Sequence, residues 1–523
     1  MLFNSYIFVF LFFPICLLGY YGLLHGNRTK AARIFLIAMS FWFYGYFNVS
    51  YLLIMVCSIG GNYVLHRILS RDPKRKVMIL AVCANLGVLF YFKYFDFFLS
   101  TVNAVFGASM TLLGILLPLG ISFFTFQQIS FIVDTYRGEI RDCSLIDYAL
   151  FVSFFPQLIA GPIVNHGEML PQFERMGHKR TSWEQAAQGL ALFVLGMVKK
   201  VLIADTFGAG VDYGYANIGQ LGRMDAVLVI VFYALQLYFD FSGYCDMARG
   251  IGRMLGIEIP VNFDSPYKAT NIIDFWKRWH ITLNRFFTKY VYIPLGGNRS
   301  GQVRTYRNLM IVFLLSGLWH GAGWNYIVWG AMHGLLYVLT RLWQRSRQPD
   351  IGCKTRQDHA GKPSFGSHES GEESTTPKSS GRIFACAGHM AMTCVSQIML
   401  FFYVAVAWVY FRAESIREAN LMLRTAAAGA AQKISMDLAE CFRVDEFWYV
   451  IKVVGMDDKP YSRYILMWVI LAAGVYLAMI GRNAAQRAER MKFRTSSALV
   501  VAVLAVWCVL TFSEVSTFLY FNF

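Results

Sequence analysis

Three of the ten histidines, His280, His320 and His333, fall within residues 271–333, a stretch with long apolar segments on both sides. His320 follows an apolar run, 310–319, and precedes Gly-Ala-Gly. An ionisable group at membrane depth is costly, so its default reading is functional. The unperturbed imidazole pKa lies closest to neutral, which suits a general base. The same ring can act as a nucleophile, and the residues leave both roles open. The competing reading is a histidine bonded to a backbone carbonyl at a helix break. Other chemistries find less support. Ser242 lacks the Gly-x-Ser-x-Gly elbow of a serine nucleophile. Asp240 and Asp246 are six residues apart and share no helical face, so they are not a carboxylate pair. Asp240 reads as a helix-to-helix tie or a cavity-lining group, and His333 as a structural hydrogen-bonding residue.

Elements must hold these groups at depth. The chain has 523 residues, 56% of them hydrophobic and 16% aromatic, with mean hydropathy +0.44. That composition predicts a polytopic membrane protein. The net charge of +16 sits in short loops between apolar segments. It therefore reads as membrane orientation and not as a nucleic-acid footprint. The ten cysteines are scattered, without CxxC, so neither a disulfide framework nor a zinc site is expected. The first apolar stretch, 2–24, lacks a basic n-region and a small-x-small site, and reads as a retained helix.

Apolar segments recur at 2–24, 34–48, 50–66, 77–97, 108–135, 145–165, 184–204, 225–247, 308–319, 323–342, 391–411, 465–481 and 497–519. Several are shorter than the ~20 residues of a full span and predict tilted, broken or re-entrant helices. Placing the basic clusters in the cytoplasm puts both chain ends outside and makes 145–165 re-entrant. Lys199 and Lys200 fit poorly, near the outer end of their helix, unless they snorkel outward. In the hairpin 308–342 the first run carries ~18 Å of helix, against ~15 Å for half a bilayer core. His320 is thus predicted near the midplane, reachable from outside. Residues 271–290 predict an amphipathic helix at the cytoplasmic interface. Its Lys277 and Arg278 would face an anionic ligand arriving from the cytoplasm, with His280 beside its entry. The two histidines then mark a path with a donor site inside and an acceptor site outside. Residues 344–382 read as a disordered cytoplasmic linker, and 412–464 as a small extracytoplasmic loop that could dock a partner.

The residues around these histidines carry a resemblance. Phe275-Trp276-Lys277-Arg278-Trp279-His280, Gly296-Gly297-Asn298-Arg299 and Gly317-Leu318-Trp319-His320-Gly321 resemble motifs of the membrane-bound O-acyltransferases, in the branch of bacterial alginate and peptidoglycan O-acetyltransferases. The likeness extends to Leu117–Phe124, Asp134–Gly138, Phe155–Pro162, Tyr238–Met247, Val409–Ala413 and Phe518–Phe523. It departs in the 344–382 linker and at Cys245, where many relatives carry serine. The resemblance implies that His320 is catalytic and His280 the second key residue.

The expectation is therefore an all-α bundle of about 11–13 membrane segments, with 1–523 one acyltransferase domain in a bacterial inner membrane. Its expected function is to move an acyl group, most simply acetyl, from a cytoplasmic thioester such as acetyl-CoA towards hydroxyls of an extracytoplasmic polysaccharide. His320 and His280 are the catalytic candidates; Trp319, Lys277, Arg278, Asn325 and Asp240 are the substrate-binding candidates. No metal and no resident cofactor is expected. The expected partners are membrane lipids, the acyl donor, the polysaccharide acceptor and a periplasmic or surface acetyltransferase, with no nucleic acid. D-alanyl transfer to teichoic acid from a carrier protein is the same-class alternative. A transporter that moves an acyl or lipid-linked group without chemistry is the alternative from another class.

Overall fold

The computed structural model describes residues 1–177, 181–299, 301–347, 379–442, 461–492 and 494–514, with six single positions between 452 and 519. The described residues form helices and no strands, as the apolar periodicity predicts. Six helices are long and apolar enough to cross a membrane: Phe8–His25, Val49–Arg71, Arg75–Phe106, Arg223–Met254, Ala391–Arg412 and Tyr461–Met479. The chain is a multi-pass membrane protein.

Arg223–Met254 is the axis of the bundle. At 32 residues it is ~48 Å long, and it is buried on nearly every face. A helix that is apolar all round belongs in such a position. Beside it runs Trp183–Met197, which passes through a π-helical turn, Val198–Ala204, into Asp205–Ala216. The predicted segment 184–204 thus continues for three further turns. The two helices nearly touch at Gly196 and Gly243, where a Cβ on Gly196 would lie 2.7 Å from the Gly243 carbonyl oxygen. Just past that contact, the side chains of Lys199 and Lys200 turn inward. Lys199 meets Asp246 at 2.6 Å, and Lys200 lies between Asp205 at 2.7 Å and Asp240 at 2.9 Å. The outward snorkelling offered for these lysines is corrected: ion pairs inside the bundle satisfy charges that lipid cannot.

Two other segments differ from expectation. The predicted apolar stretch 108–135 divides. Residues 107–120 are non-helical and exposed in most positions, tied to the preceding helix by Asp96, which accepts from the backbone of Leu113 and Gly114. The helix itself is Ile121–Tyr136. The re-entrant reading of 145–165 corresponds to two short buried helices, Leu145–Ser153 and Phe155–Leu158, broken at Phe154. Neither reaches the length of a span.

The hairpin that carries His320 consists of Gln302–His320 and Trp324–Ser346. Its arms pack backbone to backbone, because a Cβ on Gly317 would lie 2.3 Å from the Tyr326 carbonyl oxygen. The expected linker 344–382 lies largely outside the described residues. The second arm ends at Ser346, and the next helix is Ser379–Arg412. Within the expected loop 412–464, helices Ile416–Ala428 and Met436–Glu440 are formed, and 443–451 lie outside the described residues.

Candidate active site

The stretch 271–290 is not one interfacial helix. It forms Ile272–Arg278 and Ile281–Phe287, each 7 residues long, with a break at His280. The first piece starts where the Asn271 side chain accepts from the Asp274 N–H. It stops because His280 adopts a left-handed conformation, φ 45° and ψ 52°. A left-handed non-glycine residue costs of order 1–3 kcal/mol and persists only where its surroundings hold it. Here Asn284 donates to the carbonyls of Trp276 and Trp279 at 2.6 and 2.7 Å, closing the break. Ile272, Phe275, Trp276, Trp279, His280, Leu283 and both Phe286 and Phe287 are buried, so the segment runs through the bundle. Asp274, Lys277, Arg278 and Arg285 keep at least partial exposure while these apolar side chains are buried.

His280 is fully buried. Its Nδ1 lies 3.2 Å from Asn262 Oδ1. That oxygen also accepts from the Thr282 N–H and hydroxyl, at 3.2 and 2.9 Å. An amide oxygen only accepts, so the Nδ1 position carries the proton and Nε2 keeps its lone pair. Among the described residues, Nε2 meets no protein partner. Such a nitrogen is available to take a proton from, or accept a hydrogen bond of, a bound group.

His320 ends the first arm and is 2% exposed. Its ring lies among Trp319, Trp329 and Phe411, with centroids 4.9, 5.1 and 5.1 Å away. The rings of His280 and His320 are 6.3 Å apart. The two histidines are therefore neighbours, closer than the separate inner and outer positions expected for them. They converge because the helix break turns the chain towards the hairpin tip.

A helix that ends at depth leaves bare carbonyls. Lys93 covers two of them, with Nζ 2.6 Å from the Trp319 oxygen and 3.2 Å from the His320 oxygen. The Tyr94 hydroxyl donates to the Leu318 carbonyl at 2.9 Å. Both residues come from a π-helical turn, Phe90–Tyr94. Sequence reasoning missed them. The signal was present for Lys93, a lone cation in an apolar run, under the same rule that singled out His320. Asn262 had no local signal; only the fold places it under His280.

The other candidates are dispersed. Trp319 is buried beside both histidines, stacked on Phe126 at 5.4 Å. Lys277 is exposed. Arg278 pairs with Asp274 at 3.0 Å and lies 3.8 Å from Asp264. The Asn325 side-chain amide donates to the carbonyls of Tyr410 and Ala413 at 3.1 and 2.8 Å, closing the end of helix Ser379–Arg412. Asp240 accepts from the Leu519 N–H at 3.0 Å while paired with Lys200. Its helix-to-helix reading agrees with these contacts. His333 differs from its structural reading, since neither ring nitrogen has a protein partner among the described residues.

A second polar cluster joins Asp134, Glu139 and His166, whose ligand atoms lie within 4.8 Å of one another. Lys289 sits in it, 3.0 Å from Asp134 and 2.7 Å from Glu139. Its ammonium supplies the positive charge that a metal would bring.

The profile of MBOAT, the membrane-bound O-acyltransferase family, matches residues 133–360, which include all three histidines. A peptidoglycan O-acetyltransferase of Helicobacter pylori is 39% identical over 454 residues, 81% of this chain and 79% of that protein. A probable alginate O-acetylase AlgI of Pseudomonas aeruginosa is 42% identical over 351 residues, 65% of this chain and 66% of that protein. A teichoic acid D-alanyltransferase of Streptococcus thermophilus is more distant, 26% identical over 245 residues, 44% of this chain and 58% of that protein.

Proposed function

The chain belongs to the membrane-bound O-acyltransferase family, and from that premise we propose how its buried histidines carry out O-acetylation of a polysaccharide. The protein is an acyltransferase. Its similarity to a peptidoglycan O-acetyltransferase and an alginate O-acetylase supports a polysaccharide hydroxyl as acceptor. The donor in this reading is a cytoplasmic thioester, acetyl-CoA or a carrier-bound acetyl group. The acceptor lies outside a bacterial inner membrane and is reached with a periplasmic or surface partner. D-alanyl transfer is the distant alternative. A transporter without chemistry loses its ground with membership of an enzyme family.

The observation that carries the reading is the pair of buried imidazoles with ring centres 6.3 Å apart at the hairpin tip. In direct transfer, the acceptor oxygen forms the new C–O bond to the acetyl carbonyl carbon while His320 takes the hydroxyl proton. The C–S bond breaks, and the thiolate leaves with its electron pair and recovers a proton. An acyl-histidine on His320 divides the same exchange into two steps. His280, with its tautomer held by Asn262, leaves the Nε2 lone pair to accept a hydrogen bond from the incoming hydroxyl. Trp319 packs the wall between them.

The test is transfer of labelled acetyl in reconstituted membranes with the partner present. His320→Ala should lower turnover by about 100-fold or more, as loss of a general base does, with donor binding retained. Near wild-type turnover in that variant would remove His320 from the chemistry.

A further inference from the structure

His333 is fully buried, yet both of its ring nitrogens lack a protein partner among the described residues. An imidazole carries a donor and an acceptor in its neutral form, and burying either unmatched is costly. The indole N–H groups of Trp276 and Trp329 are buried and unmatched in the same way. These three rings are in contact, with His333 centred 5.1 Å from Trp276 and 4.9 Å from Trp329. Four polar positions therefore gather in one aromatic enclosure, completed by Phe275 and Trp408. Packing alone would place carbon there.

The enclosure adjoins the chemistry. Trp329 lies between His320 and His333, so the two imidazole centres are at most 10 Å apart. The second arm runs from the hairpin tip past His333 to Arg341, Arg345 and Arg347. Basic residues mark the cytoplasmic side, and His333 thus lies behind His320 on the side from which a thioester arrives.

We propose that His333, with the indole N–H groups of Trp276 and Trp329, binds an amide of the pantetheine arm that carries the acyl group. The proposal rests on the thioester reading given above. A secondary amide offers one N–H, which the imidazole acceptor takes, and one carbonyl, which an indole N–H meets. In an extended arm the two amide nitrogens trail the thioester carbon by about 5 and about 10 Å, four bonds each. Those distances cover the space between His320 and His333. The aromatic walls suit the methylenes between the amides. His333 is in this account a positioning residue, and it takes no proton.

The experiment uses the full-length protein in nanodiscs and S-acetonyl-CoA, a thioether that cannot transfer its group. A carrier protein loaded with the same S-acetonyl phosphopantetheine arm separates the two sources of the arm. His333→Phe fills the space without polar atoms and should weaken the preferred probe about tenfold or more. His333→Gln, which keeps a donor and an acceptor, should stay within about threefold of wild type. In turnover, His333→Phe should raise the donor KM and leave kcat within about threefold. Unchanged probe binding in a folded His333→Phe protein overturns the proposal. So does a loss of kcat and thermal stability that Gln does not rescue, since that is a packing role. If wild-type protein binds neither probe, the thioester reading itself fails, and the proposal falls with it.

Discussion

Lys93→Met is the most searching perturbation of the site, because Lys93 touches no reacting atom in the proposed chemistry. Methionine keeps the length and apolar stem of the side chain and removes the ammonium. Two buried carbonyls, of Trp319 and His320, then lose contacts of 2.6 and 3.2 Å. Hydrogen bonds to a charged group contribute about 1.5–3 kcal/mol each, and a cation at a helix C-terminus adds roughly 0.3–2 kcal/mol. Part of that loss will be relieved by shifting the hairpin tip, and His320 moves with it. A displacement near 1 Å costs about 100-fold in rate. If about 2–3.4 kcal/mol reaches the barrier, turnover falls about 30- to 300-fold. Tyr94→Phe removes one neutral bond to the Leu318 carbonyl. It should cost about 1 kcal/mol, or about fivefold. The assay is labelled acetyl transfer per folded molecule, with the folded amount set by size-exclusion of a fluorescent fusion. Lys93→Met within threefold of wild type at equal folded amount would show that capping does not hold the tip.

Asp240→Asn should act on folding more than on chemistry. It breaks one side of the buried Asp205–Lys200–Asp240 arrangement, at a cost of about 3–5 kcal/mol, visible as a lower thermal midpoint with donor KM unchanged. Deleting residues 349–378 should leave acetyl transfer within about threefold, under ~0.7 kcal/mol in barrier. Lost activity at normal membrane level would give the linker a direct role.

Much of the architecture was legible because burial writes itself into long apolar runs. The segment predicted at 225–247 is the core of Arg223–Met254, and the hairpin around His320 lies where the runs 308–319 and 323–342 place it. His320 itself stood out because an ionisable group at membrane depth is costly. Periodicity could not show the meeting of His280 with His320, which are forty positions apart and joined only by tertiary packing. It also could not show the break at His280. Left-handed backbone at a histidine has no compositional mark, and the alternating charges of 271–290 suggested an uninterrupted amphipathic helix. Lys199 and Lys200 illustrate the same limit, because their direction is set by carboxylates on another helix. Lys277 and Asn325 stand close in sequence to His280 and His320, yet the fold uses neither beside those rings. One is exposed, and the other spends its amide on a helix end.

The close approach of Gly196 and Gly243 bears on how this chain can enter a membrane. The isolated segment 183–216 pairs Lys200 with its own Asp205 but would carry Lys199 into lipid unanswered, at roughly 2.5–3.5 kcal/mol near its centre. Arg223–Met254 alone would carry Asp240 and Asp246. At the glycine contact the two backbones come together just before the lysines, and each charge meets its opposite. Neither helix is a comfortable lodger in lipid by itself. The unit that suits lipid is the pair, with Lys199 answered by Asp246 and Lys200 shared between Asp205 and Asp240. Docking of these two helices is thus what makes the core of the bundle compatible with lipid.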